Sequence, residues 1–314
     1  MKNKWVATLN TDYFSPLSKT IRVGINAYFS DNYFVDGNIF LLFSGTVYNA
    51  RELFLKATPP KCIHTNADEK IIIFLYKLYG IETTIQLLDG VFSFILLDNT
   101  TMNEKLFIVR DPLGISPLYC NTVNGHQQYS VKPIDGEEFT PASYSSFELG
   151  VFVNAKWENI VLNKKYYNLS FSNIVDKTIH KLTDNYFKYF ENAIEKRCRN
   201  FTEPIGIYLT SDFGSNLLLS SLQNLYKKNG KSILTIERFS GTEDLNEDTI
   251  VSSVKTVFFS LGYFDTLCKK QLNHMIEYRD NLLNIHLKLP KFEKLEPQYP
   301  FLDKDFINYN LNIS

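Results

Sequence analysis

A polar loop in the second half of the chain has the residue types that could bind an anion. Thr210-Ser211-Asp212-Phe213-Gly214-Ser215 lies between an apolar strand pattern, Pro204 to Leu209, and a helical pattern, Leu217 to Tyr226. Backbone amides at a helix N-terminus, aided by the loop's hydroxyl groups, favour phosphate oxygens. The alternative is a surface loop that only caps the helix, with Ser211 or Asp212 as the N-cap residue.

Cysteine and histidine spacing offers neither a metal site nor a redox pair. No two cysteines form a C-x-x-C pair, so we interpret them as reduced structural thiols of a cytosolic protein. The histidines lack ligand spacing as well, and we therefore predict no metal. The residues concerned are Cys62, Cys120, Cys198, Cys268, His64, His126, His180, His274 and His286.

The composition indicates an ordinary globular chain of about two domains. Of its 314 residues, 44% are apolar and 21% are charged, and the formal net charge is −1. This balance provides no basic surface for nucleic acid. No window approaches the length of a membrane span, and no apolar stretch of signal-peptide length follows the N-terminus. We therefore expect a cytoplasmic protein with neither nucleic-acid nor membrane partners.

The first half of the chain alternates strand-like runs with turn signals. Apolar runs at Ile39 to Phe43, Val91 to Leu97 and Leu106 to Val109 predict strands. Glu69 to Tyr79 has apolar residues at helical spacing, and Gly80 is expected to end that helix. Strands with a few interposed helices favour a layered α+β domain over residues 1–170.

The second half alternates helices and strands. The expected elements are a helix at Thr183 to Arg199, a strand at Pro204 to Leu209, a helix at Leu217 to Tyr226, a strand at Ile233 to Ile236 and a helix from Asp244 to Leu261. This order predicts a parallel sheet with crossover connections. We place the second domain at residues 178–314, after a seam near residues 168–177.

Four stretches of the first half resemble the class II glutaminase domain of asparagine synthetases. Ser44-Gly45-Thr46-Val47-Tyr48-Asn49-Ala50-Arg51-Glu52-Leu53 resembles the family's N-G-E-I-Y-N-x-x-E-L. Asp68 and the later Leu88-Asp89-Gly90-Val91-Phe92-Ser93-Phe94 resemble D-x-E-V-I-x-x-x-Y and then L-x-G-M-F-A-F. Leu106 to Tyr119 resembles L-F-L-A-R-D-x-x-G-I-K-P-L-Y, and Pro141-Ala142-Ser143-Tyr144 resembles P-A-G-S-Y. The resemblance implies an Ntn-hydrolase-like α+β fold with layered sheets.

The second half resembles the PP-loop synthetase domain of the same family over shorter stretches. Pro204 to Leu209 stands where the family has P-V-G-V-L-L, and Pro300-Phe301-Leu302-Asp303 resembles V-P-F-L-D. The family's acidic S-G-E-G-x-D-E segment has no counterpart. The resemblance implies a small, truncated α/β domain of the adenine nucleotide α-hydrolase type.

The resemblance implies a glutaminase without its nucleophile. In the family, the thiol of an N-terminal cysteine attacks glutamine, with its own α-amine as base. Lys2 occupies that position here, and no cysteine precedes Cys62. Self-cleavage that exposes Thr8 or Thr11 is an alternative, although nothing nearby resembles a processing site. We predict no catalytic residue and no glutaminase activity.

Substrate-binding positions depart from the family pattern as well. The family's N-G-E supplies an Asn side chain and a Gly amide as the oxyanion hole and a Glu that holds glutamine, whereas Ser44-Gly45-Thr46 keeps only the Gly amide. Asp68 stands where the family binds the glutamine amine. The predicted substrate-binding remnant is Gly45, Asn49 and Asp68.

The turn after the third apolar run is expected to be structural rather than catalytic. Arg110, Asp111 and Gly114 follow the third apolar run of the first half. We predict that they form a buried, ion-paired turn which supports the sheet.

The nucleotide loop is altered at the positions that would meet phosphate. The family's S-G-G-L-D-S-S aligns with residues 210–216, so Asp212 replaces the second glycine and Gly214 replaces the acid. Two unit charges about 4 Å apart repel by roughly 4 kcal/mol at an effective dielectric near 20. A magnesium ion between Asp212 and phosphate would reverse the sign of this effect. The predicted nucleotide-loop remnant is Thr210, Ser211, Asp212, Gly214 and Ser215.

The leading hypothesis is a catalytically inactive asparagine-synthetase-like protein that acts in binding or assembly, as a homo-oligomer and without a cofactor. A shortened copy with AT-biased composition also fits a large DNA virus or a parasite, with a virion location. One alternative is an ammonia-using asparagine synthetase that retains ATP and magnesium. A second is an amino-acid or nucleotide sensor that uses Asp68 and Gly45.

Overall fold

The computed structural model describes residues 5–9, 20–24, 27–30, 32–57, 68–123, 125–150, 156–168, 179–198, 204–209, 213–228, 233–237, 256–259 and 296–311. The chain divides into two compact units, Lys2–Asn168 and Leu169–Ser314. Each unit is considered by itself. Within the described ranges, no helix is both long and apolar enough to cross a membrane.

Over its described residues, the N-terminal unit has two six-stranded sheets and two helices. The first sheet has the order β10-β8-β9-β1-β3-β2 and the second the order β12-β11-β7-β6-β5-β4. The strands are β1 Val6–Leu9, β2 Thr20–Gly24, β3 Ala27–Ser30, β4 Phe34–Asp36, β5 Ile39–Val47, β6 Gly90–Asp98, β7 Lys105–Arg110, β8 Tyr119–Val123, β9 His126–Ser130, β10 Glu137–Glu138, β11 Ser143–Gly150 and β12 Lys156–Lys165. The helices are α1 Ala50–Ala57 and α2 Asp68–Leu87.

Side-chain alternation divides the apolar residues of this unit between two cores. On β5, Leu41 and Phe43 join the core beneath the helices, whereas Leu42 joins the core between the two sheets. The inter-sheet core also contains Trp5 of the segment that leads into β1 and Trp157 of β12. Successive residues of a strand point to opposite faces of its sheet, which produces this division. The result is a helix–sheet–sheet layering, and the predicted layered α+β class is confirmed.

Helix α2 runs beyond the residue at which the sequence predicts its end. Gly80 has φ 74° and ψ 177°, so the helix is kinked there and continues to Leu87. Ile81 and Ile85, after the kink, are buried in the helix-side core. Their burial favours a second helical segment over the C-terminal stop that glycine signals locally.

The C-terminal unit has a parallel four-stranded sheet of order β14-β13-β15-β16. Its strands are β13 Ile205–Leu209, β14 Ile233–Glu237, β15 Thr256–Phe259 and β16 Glu296–Gln298. In the described part of this unit, the helices are α3 Ile179–Cys198, α4 Phe213–Lys228, a 3-10 turn at Pro300–Leu302 and α5 Lys304–Leu311. The predicted parallel sheet is therefore confirmed among the described residues.

One element of the C-terminal unit corrects the sequence analysis. The helix expected from Asp244 to Leu261 is wrong over Thr256–Phe259, which forms β15 between β13 and β16. The run Thr-Val-Phe-Phe consists of β-branched and aromatic residues, which suit a buried strand. The remaining residues of that expected helix lie outside the described ranges.

Candidate functional site

The end of β5 and the beginning of α2 bring two of the predicted substrate-binding residues into one region. Asp68 is the first residue of α2, and its Oδ2 accepts a hydrogen bond of 3.2 Å from the backbone N–H of Val47. Val47 follows Gly45 by two residues on β5. The helix N-terminus also stabilises a negative charge at Asp68. A carboxylate is thus fastened beside the strand that contains Gly45.

Gly45 has a conformation and surroundings that only glycine tolerates. Its φ is 126°, and a Cβ placed on it would lie 2.0 Å from the carbonyl oxygen of Val91. Residues other than glycine rarely adopt this φ. The clash would be with a backbone oxygen, which cannot rotate away as a side chain could. The glycine is therefore required for β5 to pass β6 at this distance.

Asn49 uses both ends of its carboxamide to hold helix α2 against the strand that follows it. Its Nδ2 donates to the carbonyl oxygen of Leu87 at 2.9 Å, and its Oδ1 accepts from the N–H of Asp89 at 3.0 Å. The neighbouring N–H of Tyr48 donates to the carbonyl oxygen of Asp89 at 2.7 Å. In this structure Asn49 is a clamp between β5, the end of α2 and the turn before β6.

The hydroxyl groups of Ser93 and Ser116 meet beside the backbone of Ser44, next to Gly45, and all three serines are buried. Ser44 of β5 lies directly across from Ser93 of β6 in the strand register. The Oγ atoms of Ser93 and Ser116 are 2.9 Å apart, and Ser116 Oγ lies 3.4 Å from the carbonyl oxygen of Ser44. Ser93 Oγ also lies 3.2 Å from the carbonyl oxygen of Pro117. We name Ser44, Ser93 and Ser116 the serine cluster.

The sequence analysis did not identify this cluster. Its members are far apart in the chain and meet only through the pairing of β5 with β6 and the turn after β7. One signal was available, because Ser93 and Ser116 stand where the motifs of the resembled family have Ala and Lys.

The turn that follows β7 is organised by Arg110, which is fully buried. Its Nε donates a hydrogen bond to the carbonyl oxygen of Ser116 at 2.9 Å. Its two terminal nitrogens donate to the carbonyl oxygens of Gly114, at 2.7 Å, and Phe139, at 2.6 Å. A salt bridge of 2.6 Å joins Arg110 to Glu138. The prediction of a buried, ion-paired turn is confirmed, and the ion-pair partner is Glu138.

Asp111 completes the same turn from the other side. Its Oδ1 accepts from the N–H groups of Leu113 at 3.0 Å and Ile115 at 3.1 Å, and its Oδ2 accepts from that of Ser116 at 2.8 Å. Burial raises the pKa of Asp111, while the nearby Arg110 guanidinium and these three N–H groups oppose that increase. The backbone of Ser116 is therefore held by Arg110 at its carbonyl and by Asp111 at its amide.

A surface network fastens the part of α2 after the kink to the second sheet. Glu82 accepts a short hydrogen bond from the hydroxyl of Tyr144 and pairs with Lys164 at 2.7 Å. The hydrogen bond from Lys164, and then that from Tyr144, lower the pKa of Glu82. Both Glu82 and Lys164 are more than half exposed, so this network is screened by solvent.

The nucleotide-loop remnant is described only in part. Gly214 and Ser215 lie in the first turn of α4, where Ser215 is fully buried. Thr210, Ser211 and Asp212 lie outside the described residues, and so does Lys2.

A second buried charge cluster lies in the C-terminal unit. Asp303, in the stretch that resembles V-P-F-L-D, accepts from Arg197 at 3.0 Å and pairs with Lys196 at 3.5 Å. Although burial alone would raise the pKa of Asp303, the two cations lower it below its usual value. Asp303 also accepts N–H groups from Asp305 at 3.1 Å and Phe306 at 3.3 Å, so it caps α5.

Comparison with known proteins places a family match over the first domain. Residues 31–131 match a family model described as a glutamine amidotransferase domain. The chain is 30% identical over 220 residues to the asparagine synthetase [glutamine-hydrolyzing] of Mus musculus, and 29% identical over 220 residues to that of Homo sapiens. Each match covers 60% of this chain and 37% of the relative. The chain thus spans well under half the length of these relatives.

Among solved structures, a glutamine phosphoribosylpyrophosphate amidotransferase from B. subtilis, complexed with ADP and GMP, matches at 12% identity. Its TM-score is 0.36, and the match covers 74% of this chain and 60% of that one. A glutamine aminotransferase class-II domain protein from Silicibacter pomeroyi matches at 10% identity with a TM-score of 0.32, over 51% of this chain and 92% of that one.

Proposed function

We propose that this chain, an asparagine-synthetase-like protein with a glutamine amidotransferase domain, has kept the fold of its family and lost the glutaminase chemistry. In this proposal it acts as a binding or assembly protein. The observation that carries the proposal is the sequence Ser44-Gly45-Thr46 at the end of an intact β5. The fold supports a site there, and two of these three residues, Ser44 and Thr46, lack the groups that the chemistry requires.

The altered side chains would weaken catalysis at the step where negative charge develops. Ser44 replaces the Asn that the resemblance assigns to the oxyanion hole, and Thr46 replaces the Glu that holds glutamine. Loss of one oxyanion donor lowers a rate by about 10²–10³. Gly45 and Asp68 remain, so the chain has lost one oxyanion donor and one glutamine-binding acid and has kept one group of each kind.

The segment leading into β1 supports the same proposal. A class II glutaminase needs a thiol there, and Lys2-Asn3-Lys4-Trp5 contains none. Without that thiol no thioester forms, whatever the rest of the site provides. This removes the covalent route, whereas the Ser44 and Thr46 changes only slow it.

The packing of the two cores of the N-terminal unit supports a role that depends on the protein surface, in binding or assembly. Both faces of the second sheet are covered by apolar clusters, and Arg110 donates four hydrogen bonds. Interiors of this kind support a single ordered structure. A protein that keeps such a core without the reacting groups is suited to binding or assembly, and homo-oligomerisation is our proposed form of it.

Two measurements test the proposal. Release of glutamate from glutamine should equal that of buffer alone, and turnover above this background would refute the loss of chemistry. Light scattering coupled to size-exclusion chromatography should give a mass that is a multiple of the chain mass of 36.4 kDa. A strictly monomeric protein at micromolar concentration would remove the homo-oligomer from the proposal.

A second candidate is an ammonia-using asparagine synthetase, which the parallel sheet of the C-terminal unit and the buried Ser215 at the start of α4 favour. This route needs neither Lys2 nor Ser44, because ammonia bypasses the glutaminase. Calorimetry with ATP, magnesium and aspartate separates the two candidates. Micromolar affinity together with formation of an acyl-adenylate would establish the synthetase and overturn the inactive protein.

A further inference from the structure

Strand β12 lies at one edge of the second sheet, and most of its residues are exposed. Among the described residues, its ladder partner is β11 alone. Ile160 is 57% exposed and Leu162 is 70% exposed, although both side chains are large and apolar. An edge strand presents backbone N–H and C=O groups that can pair with a strand of another chain. β12 therefore offers both backbone hydrogen bonds and apolar side chains to a partner strand.

Two bulges are placed symmetrically about Val161 of β12. In the pairing with β11, one extra residue of β12 lies between Asn159 and Val161, and another lies between Val161 and Lys164. Asn163, within the second bulge, has a positive φ of 46°. Each extra residue turns the following side chain to the opposite face of the sheet. Side chains three positions before and after Val161 consequently share its face.

Contacts of β12 with the rest of the unit identify that face. Trp157 belongs to the inter-sheet core, so the next side chain, Glu158, points to the helix side of the sheet. Val161 packs against the core beneath the helices. Lys164 pairs with Glu82 of α2 at 2.7 Å. Glu158, Val161 and Lys164 thus lie on the helix side, with Val161 midway between two opposite charges.

This arrangement makes the edge complementary to itself. A two-fold axis through Val161, perpendicular to the sheet, places a second β12 antiparallel to the first. Val161 then faces its own copy, Glu158 faces Lys164 of the second copy, and Ile160 faces Leu162 of the second copy. The two-fold symmetry forms each of the last two contacts twice. Opposite charges and apolar side chains directly across an antiparallel pair are stabilising.

Charge and symmetry disfavour the neighbouring registers. Residues that face each other point to the same side of a sheet, so such an axis passes through a residue that faces its own copy. An axis at Ile160 would place Lys156 opposite Lys164, and an axis at Leu162 would place Ile160 opposite Lys164. Either shift would also move the bulges of the two copies out of alignment. The lysines and bulges that discourage edge pairing in general therefore permit one register here.

Glu158 has an unfavourable neighbour within its own sheet. The residue directly across from it on β11 is Glu148, which pairs with Lys105 of β7 at 3.8 Å. Like charges directly opposite each other are destabilising. A lysine from a second copy would offset this repulsion. Lys164 has three N–H donors, so it can contact Glu158 of the second copy while it keeps Glu82.

We propose that β12 is the surface through which two copies of this chain associate, by antiparallel strand pairing across a two-fold axis at Val161. The two second sheets then form one continuous sheet, and the exposed Ile160 and Leu162 become covered. This inference rests on the homo-oligomer of the proposed function and names the surface that forms it.

The first test exchanges the charges of β12. Glu158→Lys alone places lysines opposite each other, and Lys164→Glu alone places glutamates opposite each other. Each single variant should raise the dimer dissociation constant at least about tenfold, since two attractive pairs become two repulsive ones. An equimolar mixture of the two variants restores both opposite-charge pairs, so its dissociation constant should return to within about threefold of that of the natural chain.

Sedimentation velocity over a range of concentrations measures these constants. Nitrogen-15 labelling of one variant allows native mass spectrometry to identify the mixed dimer. Glu137→Lys makes the same charge change at an exposed position of β10, in the first sheet, and should leave the constant unchanged. Urea unfolding of each single variant checks that its fold is kept.

A second variant tests the apolar contact without a change of charge. Leu162→Gln should raise the dissociation constant at least about fivefold, because it removes two apolar contacts that the two-fold axis relates. Met102→Gln is the matched control, since Met102 is 92% exposed in the loop between β6 and β7.

The outcomes separate this inference from the proposed function. A dimer whose constant is unchanged by both charge variants would overturn the assignment to β12 and leave the homo-oligomer in place. A natural chain that is monomeric at micromolar concentration would overturn both. Neither measurement depends on glutamine turnover, so the proposed loss of glutaminase chemistry is tested separately.

Discussion

Replacement of Arg110 should separate a backbone-organising role from simple ion pairing. Arg110 is fully buried and donates to three carbonyl oxygens as well as to Glu138. Arg110→Met keeps the length and apolar stem of the side chain but leaves three carbonyl groups and one carboxylate without their donor. Removing one partner of a buried charge network costs about 3–5 kcal/mol. We expect a loss of this size in the free energy of unfolding.

Glu138→Gln is the matched control for that experiment. Glu138 is 37% exposed in its side chain, so solvent weakens its pairing with Arg110. Exposed ion pairs contribute about 0–1 kcal/mol, and the glutamine can still accept a hydrogen bond. The control variant should therefore lose less than about 1 kcal/mol. A similar loss in both variants would show that the ion pair, rather than the carbonyl contacts, supports the turn.

Tryptophan fluorescence during urea unfolding measures the loss in unfolding free energy in the N-terminal unit, which contains Arg110 and Glu138. The chain has two tryptophans, Trp5 and Trp157, and both are buried in the inter-sheet core of the N-terminal unit. The fluorescence transition therefore reports this unit without a contribution from the C-terminal one. If Arg110→Met shifts the unfolding free energy by less than about 1 kcal/mol, the buried network described for this turn is not a stabilising one.

Three further predictions concern individual residues. Gly45→Ala should reduce soluble yield and lower the unfolding free energy by at least about 1–3 kcal/mol, because its φ and the carbonyl of Val91 exclude a Cβ; a wild-type melting temperature would contradict this. Asn49→Ala should cost about 1–3 kcal/mol in urea unfolding through loss of its two backbone contacts, and an unchanged midpoint would exclude the clamp. Asp303 has a lowered pKa in the folded state because of Arg197 and Lys196, despite its burial, so it stabilises above its unfolded pKa of about 3.9 and this contribution is lost as pH falls through its lower folded pKa. Asp303→Asn should remove that acid-dependent step from tyrosine circular dichroism, and an identical pH profile would refute the assignment.

Local patterns were sufficient for three strands of the N-terminal unit, which are β5, β6 and β7. The apolar runs that predict β5, β6 and β7 are long, and turn residues bound them. Such strands are buried on both faces, so their sequence differs plainly from that of the surrounding loops. The parallel order of the C-terminal sheet follows in the same way from the alternation of strands and helices.

The elements that sequence reasoning missed depend on contacts between distant residues. Helix α2 continues past Gly80 because Ile81 and Ile85 are buried in the core between the helices and the second sheet. The glycine in the local sequence gives no indication of this burial. Strand β15 exists because it pairs on both sides with strands far away in the chain. Tertiary contacts of this kind override local propensity.

The candidate site shows the same limit. Gly45 and Asp68 could be named from motifs, and the structure joins their segments through the Val47–Asp68 hydrogen bond. The clamp made by Asn49 and the serine cluster could not be named, because the strand register decides which polar groups meet. Residues that differ from a family motif therefore indicate a shared site only when the strand register shows which of them are neighbours.

Nitrogen-15 NMR on glutamine labelled at its side-chain amide tests the central claim most directly. The claim is that an amidotransferase fold persists here without its glutamine chemistry. With the full chain at high concentration and a long incubation, we predict that the labelled amide signal stays equal to that of a protein-free sample. Conversion of the amide signal into ammonium, in excess of that background and proportional to protein concentration, would contradict the account.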